Sequence, residues 1–268
     1  MKKFYVIGNP IEHSLSPKIF NYIFRAKKIN AQYFVNNIKS NKEFKNLLTT
    51  TNKNFSGLNI TLPYKKLAYE IIENIDQSAI NVKSINCIKN INGVLKGYNT
   101  DQYGFIKMID KSNISLDDYN ILILGNGSSA RTIAYTLLKK LNTNIFIWGR
   151  NDKKVIQLIN DLNSHNNMFS FYNKKIDQPV IVINCISLNI NKNGVKTILS
   201  CLPIKNIKLF IDLNYIETPL IKELRIKKIK VLLGLDMFIY QALKSFQIWF
   251  DGLYSNKILY DDIMKAIK

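Results

Sequence analysis

The chain has 268 residues, 47% of them hydrophobic, which suits one large domain or two moderate ones, and it contains no apolar run long enough to span a membrane. The start, MKKFYVIGNP, is too short in apolar residues for a signal peptide, so a cytoplasmic protein is expected. The net charge of +19 is spread evenly, with 15 Lys and Arg against 6 Asp and Glu in residues 1–104 and 23 against 13 beyond, so it argues against a specific nucleic-acid partner and for weak nonspecific attraction to polyanions.

In chain order, Phe4–Ile7 reads as a strand. Ser16 is the expected N-cap of a helix with Pro17 at its first position and Ile19, Phe20, Ile23 and Phe24 as its apolar stripe. Tyr33–Ile38 (strand), Lys42–Thr50 (helix), Gly57–Leu62 (strand) and Lys65–Ile75 (helix) follow. Ser84–Lys89 and Val94–Tyr98 flank Asn92-Gly93, a hairpin turn pair. From about Tyr103 a second unit alternates strand Asn120–Leu124, helix Ser129–Lys140, strand Asn144–Trp148, helix Lys153–Ser164, and strands Val180–Ile183 and Leu209–Leu213. That alternation predicts a doubly wound parallel sheet. Helices over Met237–Phe250 and Tyr260–Ile267 are expected to return to the first unit. The expected organisation is α/β throughout, with an N-terminal α/β substrate domain of 1–102 plus 237–268, a Rossmann-type nucleotide domain of 103–236, and a cleft between them.

Three stretches carry chemistry. The run ILILGNGSSAR holds Gly125, Asn126, Gly127, Ser128, Ser129 and Ala130 as a GxGxxA between a strand and a helix. In such a turn the glycines let the backbone approach a pyrophosphate, which rests on free N–H groups of the helix. The next strand ends in Gly149, Arg150, Asn151 and Asp152, then Lys153 and Lys154. An arginine there suits a 2′-phosphate, where a site for NAD would place an acid, so NADP is expected over NAD, although Asp152 stands close by. Lastly, Lys65 follows the strand of GLNITLPYKK and Asp101 follows that of KGYNTDQYGF. Adjacent strands would bring both to one sheet edge, where a Lys–Asp pair can work as an acid–base device. Read singly, each is also an ordinary surface charge. His13 reads as structural and His165 as a loop residue. Cys87, Cys185 and Cys201 read as reduced, buried thiols with no CxxC spacing, and no metal is expected.

Taken together, GNPIEHSLSPKIFN, GLNITLPYKK, SINCI, KGYNTDQYGF, GNGSSAR, GRNDKK, DLNYIETPL and GLDMFIYQALKSFQIW resemble, in order and spacing, the shikimate dehydrogenase family over essentially the whole chain. The resemblance implies reversible NADPH-dependent reduction of 3-dehydroshikimate to shikimate without a metal, completed by closure of the two domains. It implies that Lys65 is the acid–base group and Asp101 its partner. It also implies that Ser14 and Ser16, with Tyr215, hold the substrate carboxylate, that Thr61, Asn86 and Gln241 meet the ring hydroxyls, and that Leu213, Gly234 and Met237 line the nicotinamide site. A monomer or homodimer is expected.

The chain departs from the family pattern around the cofactor. Ser128 and Gly149 stand where Gly and Asn are usual, and Ile186 and Asn189 replace a threonine and a glycine. These changes bear on NADP affinity more than on substrate binding. Three other readings stay open: a dehydrogenase that also takes quinate or uses NAD, a non-catalytic metabolite-binding relative, and a basic nucleic-acid binder.

Overall fold

An apolar N-terminal run makes β1 (Lys2–Gly8), after which come α1 (Ser16–Ala26), β2 (Ala31–Asn37), α2 (Asn41–Thr49), β3 (Gly57–Ile60), α3 (Lys65–Ile71), β4 (Asn74–Ile75), α4 (Gln77–Ile80), β5 (Cys87–Ile91) and β6 (Val94–Tyr98). The computed structural model describes residues 1–12, 14–50, 53–138, 143–163, 169–173, 176–187, 192–253 and 256–267; His13, His165 and Asn189 lie outside them. The chain divides into two units, Met1–Gly104 with Ile239–Lys268, and Phe105–Phe238.

The first unit is built on a six-stranded sheet in the order β2-β1-β3-β5-β6-β4. It is mixed: β1 pairs parallel with β2 and β3, whereas β5 runs antiparallel to both β3 and β6. The hairpin turns at Asn92 (φ 52°) and Gly93 (φ 91°), positive angles that Asn-Gly adopts readily. Ile19, Phe20, Ile23 and Phe24 are buried, as their spacing requires. Three local expectations are corrected. Leu15, not Ser16, is the N-cap of α1; the Ser14 hydroxyl accepts the Ser16 N–H instead, at 3.3 Å. β3 ends at Ile60, and the helix from Lys65 stops at Ile71, because Ile72 turns extended and Asn74–Ile75 pairs with β6 as β4.

α5 (Asp101–Ser112) leads into the second unit, with β7 (Asn120–Leu124), α6 (Ser128–Leu138), β8 (Ile145–Trp148), α7 (Asp152–Asn163), β9 (Phe169–Phe171), β10 (Val180–Asn184), α8 (Lys192–Cys201), β11 (Ile207–Asp212), α9 (Pro219–Ile226) and β12 (Val231–Leu233). Its sheet is wholly parallel, in the order β12-β11-β10-β7-β8-β9. The order reverses between β7 and β10, the switch point at which parallel sheets bind ligands beyond their strand ends. α10 (Leu235–Trp249) passes back to the first unit, and α11 (Asn256–Ile267) follows it. There Trp249 covers Gly57: a Cβ on Gly57 would lie 2.4 Å from the indole nitrogen, which donates to the Ile88 carbonyl at 2.9 Å.

Candidate active site

In the first unit the turn after β3 is closed by Tyr64 N–H donating to the Thr61 carbonyl at 3.0 Å, so that Lys65 opens α3. Its Nζ lies 2.6 Å from Asp101 Oδ2, and the two side chains are only 15% and 8% exposed. Asp101 opens α5, and a helix N-terminus suits an anion. The two strands concerned are not neighbours, as the sequence suggested; β5 lies between β3 and β6. Because β5 is antiparallel to both, its start shares an edge with their ends, and that start is preceded by Asn86. Asn86 Nδ2 donates to Asp101 Oδ1 at 2.7 Å and to Thr100 Oγ1 at 2.9 Å, and its Oδ1 accepts the Thr100 N–H at 2.7 Å.

The polar contacts run on into the core. Thr100 Oγ1 reaches Gln241 Oε1 at 3.4 Å and Ser245 Oγ at 3.3 Å. Asn59 Nδ2 donates to Ser245 at 2.9 Å, and its Oδ1 accepts from the Tyr33 hydroxyl at 2.8 Å. Burial raises the Tyr33 hydroxyl well above its ordinary value, Cys87 adds to the rise, and the Ser16 hydroxyl beside it opposes it. Lys65, Asp101, Asn86, Gln241 and, at the far end, Ser16 thus share one network. Ser14 is half-buried at the start of α1, and Thr61 is half-buried beside Gly8. Asn59, Thr100 and Ser245, all buried, are the members that the sequence reading passed over. Asn59 inside an apolar strand and Ser245 inside an apolar helical stripe were the available signals, since buried polar groups need partners.

In the second unit Gly125 has a φ of +115°, which only glycine adopts without strain, and its N–H donates to the Trp148 carbonyl at 2.7 Å. A Cβ on Gly127 would meet nothing within 4 Å, so its outer side is open to a ligand. α6 starts at Ser128, one residue earlier than expected; Ser129 follows, and Ala130 packs into the core. A Cβ on Gly149 would sit 3.0 Å from Val155 and 3.3 Å from the Asn126 carboxamide, which itself donates to the Asn151 carbonyl at 3.4 Å. Asn151 Oδ1 accepts the Lys154 N–H at 3.0 Å, capping α7. Asp152 is the first residue of that helix, where an acid favours the dipole, which accounts for the acid that stood against the NADP reading. Arg150, Lys153 and Lys154 are exposed. Past β11 and β12, a Cβ on Gly234 would fall 2.2 Å from the Leu213 carbonyl oxygen. Met237 is buried with Leu213 packed against the same cluster, and the Tyr215 ring lies tilted against Phe238, centroids 4.6 Å apart.

An open glycine turn at an 11-residue helix, with exposed cations at the next strand end, fits a phosphorylated dinucleotide. Cys87 and Cys185 are poor thiolates: burial pushes Cys87 up to about 12 and raises Cys185, which is half-buried rather than fully buried.

Two family models match the chain, the shikimate dehydrogenase substrate binding domain over residues 6–88 and shikimate / quinate 5-dehydrogenase over residues 107–215. Among similar proteins, shikimate dehydrogenase (NADP(+)) of Methanococcus aeolicus is 34% identical over 253 residues, covering 91% of this chain and 90% of its own. The enzyme of that name from Aquifex aeolicus is 30% identical over 247 residues, covering 91% and 89%. A solved structure of a shikimate dehydrogenase in complex with NADP+ is similar over 100% of this chain and 96% of its own, at 27% identity and a TM-score of 0.82.

Proposed function

The chain belongs to the shikimate dehydrogenase family, and on that footing we propose that Lys65 is the acid–base group, and Asp101 its partner, in the reversible NADPH-dependent reduction of 3-dehydroshikimate to shikimate. The chain is an NADP-dependent oxidoreductase of aromatic amino-acid and chorismate biosynthesis.

The observation that carries the residue assignment is the 2.6 Å contact of Lys65 with Asp101 in a nearly enclosed place, with Asn86 fixing the second carboxylate oxygen. In the direction of reduction the Lys65 ammonium donates to the ring ketone oxygen and hands over its proton as negative charge grows there. The shielding that leaves little water around the pair strengthens that interaction. Asp101 holds the ammonium in line and accepts from a neighbouring ring hydroxyl. Ser14 and Ser16 donate to the substrate carboxylate together with Tyr215, and Thr61, Asn86 and Gln241 pair the ring hydroxyls. Neutral donor–acceptor groups suit a polyhydroxylated ring, since an analogue lacking a hydroxyl leaves them unpaired.

Bound NADPH supplies the hydride for the ring carbon. For its pyrophosphate the chain offers Gly125, Asn126, Gly127, Ser128, Ser129 and Ala130; for the 2′-phosphate end, Gly149, Arg150, Asn151 and Lys154; and for the nicotinamide, Leu213, Gly234 and Met237. The reading names 1–102 with 237–268 the substrate-binding domain and 103–236 the NADP-binding domain; Tyr215 and Met237 are the assigned residues that fall outside that division. It takes the enzyme as a cytoplasmic monomer or homodimer. Among the described residues no helix is long and apolar enough to cross a membrane.

The test is reduction of NADP⁺ by the purified protein with shikimate, with NAD⁺ and quinate run in parallel. Turnover with shikimate and NADP⁺ is expected. Equal turnover with NAD⁺ overturns the role of Arg150, turnover of quinate widens the substrate range, and no turnover by folded protein refutes the acid–base assignment.

A further inference from the structure

Asp212 closes β11 with a fully buried carboxyl group. Its Oδ1 accepts the backbone N–H of Asn214 at 2.9 Å and the Asn214 side-chain amide at 2.7 Å. Its Oδ2 is buried without a hydrogen-bond partner among the described residues. Ile183, Ile211, Cys185 and Leu213 belong to the apolar cluster around this strand end. A carboxylate in such surroundings with one oxygen short of a full hydrogen bond is unfavourable, and taking up a proton removes the buried charge. Consistently, burial pushes the Asp212 carboxyl above its ordinary value, against the opposing pull of the Asn214 backbone, the Asn184 amide and the Asn214 amide.

The contacts around Asp212 tie three strand ends together. Asn214 Nδ2 also donates to the Ile186 carbonyl at 3.0 Å, beyond β10, and the Asn214 carbonyl accepts the Gly234 N–H at 2.9 Å, beyond β12. Asn184, paired in register with Asp212, accepts the Ile186 N–H at 3.1 Å through Oδ1 and the Leu213 N–H at 3.0 Å through its carbonyl. The segments that carry Ile186, Leu213 and Gly234 therefore hang on one buried acid and two asparagines.

We propose that Asp212 is a positioning residue for the nicotinamide end of the cofactor site, acting through Asn214 as a neutral carboxylic acid. This rests on the functional reading above, which puts Leu213 and Gly234 beside the nicotinamide. Asp212 touches neither substrate nor the transferred atoms. It keeps Asn214 aimed at Ile186 and Gly234, and the neutral form does so without an unpaired charge in the core.

The experiment titrates NADP⁺ and, separately, shikimate into the full-length protein by calorimetry, with steady-state kinetics and thermal melts alongside. Asp212→Leu and Asn214→Ala should each weaken NADP⁺ binding and raise its KM by about tenfold or more, the scale on which a misplaced binding loop acts. Shikimate affinity should fall far less than NADP⁺ affinity, since of the proposed substrate contacts only Tyr215 adjoins Asn214. Asp212→Asn, a neutral group of the same shape, should keep NADP⁺ affinity. If Asp212→Leu does not fold, Asn214→Ala, whose side chain is only half-buried, carries the test. Unchanged NADP⁺ affinity in the folded variants, even with a lower Tm, overturns the positioning role. Loss in Asp212→Asn equal to that in Asp212→Leu overturns the neutral form. A parent protein that binds NADP⁺ but does not oxidise shikimate refutes the functional reading instead, and does so before any variant is made.

Discussion

Lys65 opens α3, an end at which a helix disfavours a cation, and Asp101 opens α5, an end that favours an anion. The lysine is held there by its 2.6 Å contact with that carboxylate, which in turn is fixed by Asn86. Removing the ammonium should therefore affect chemistry more than binding. Lys65→Ala is expected to lower kcat by about 10²–10⁴-fold, the range of a lost acid–base group, with shikimate affinity close to the parent's. Stopped-flow rates set against a calorimetric Kd decide it, and an unchanged kcat removes Lys65 from the mechanism. Arg150 acts by charge and shape on a phosphate that only NADP carries. Arg150→Ala should raise the NADP⁺ KM by about 10–100-fold, as loss of a charge-assisted contact does, and leave the NAD⁺ KM unmoved. Equal changes for both cofactors would place the arginine elsewhere.

Among the elements, β3 shows how closely strand and helix depend on one glycine. Gly57→Ala would put a methyl 2.4 Å from the Trp249 indole nitrogen and push α10 from the sheet. A loss of about 1–3 kcal/mol is expected from such overpacking, read by urea unfolding; an unchanged midpoint would mean that the indole moves aside freely. At the end of β11 the effect is one of pH. The folded-state value of Asp212 is raised, so its contribution to stability is present below the ordinary carboxylate value and is lost as pH rises through the raised one. Asp212→Asn cannot ionise, so its Tm relative to the parent should climb from acid toward neutral pH; a difference that stays flat argues against burial of the charge. Elements of this kind were legible in the sequence where a local rule sufficed. The Asn92-Gly93 hairpin, the apolar stripe of α1, the buried β7 and the glycine turn before α6 announce themselves by turn residues and period. β9 and β12, three residues each, and β4, two residues, are too short for any period. Lys65, Asp101 and Asn86 were legible as motif residues. Their geometry was not, because β5 enters between β3 and β6 through a hairpin that reverses its direction. Thr100, Ser245 and Asp212 owe their roles to partners that are distant in sequence or to the depth at which they lie.

Over the whole molecule, lysine gives a net charge of +19 that both units share. Such a charge attracts polyanions without choosing among them. The protein should bind heparin at low ionic strength and release it by about 0.2 M salt, with single- and double-stranded nucleic acids behaving alike; retention well above that, or a preference for one sequence, would mean that a dedicated site exists. Trp249, packed over Gly57, has a further use. The chain has only two tryptophans, Trp249 in the first unit and Trp148 at the end of β8 in the second, both largely buried. Each unit therefore carries its own fluorophore, and replacing either by phenylalanine leaves an emission spectrum that follows the melting of one unit alone. Trp148 stands two residues before Arg150, so in the chain lacking Trp249 the remaining emission is an optical probe placed close to the proposed 2′-phosphate end of the cofactor site.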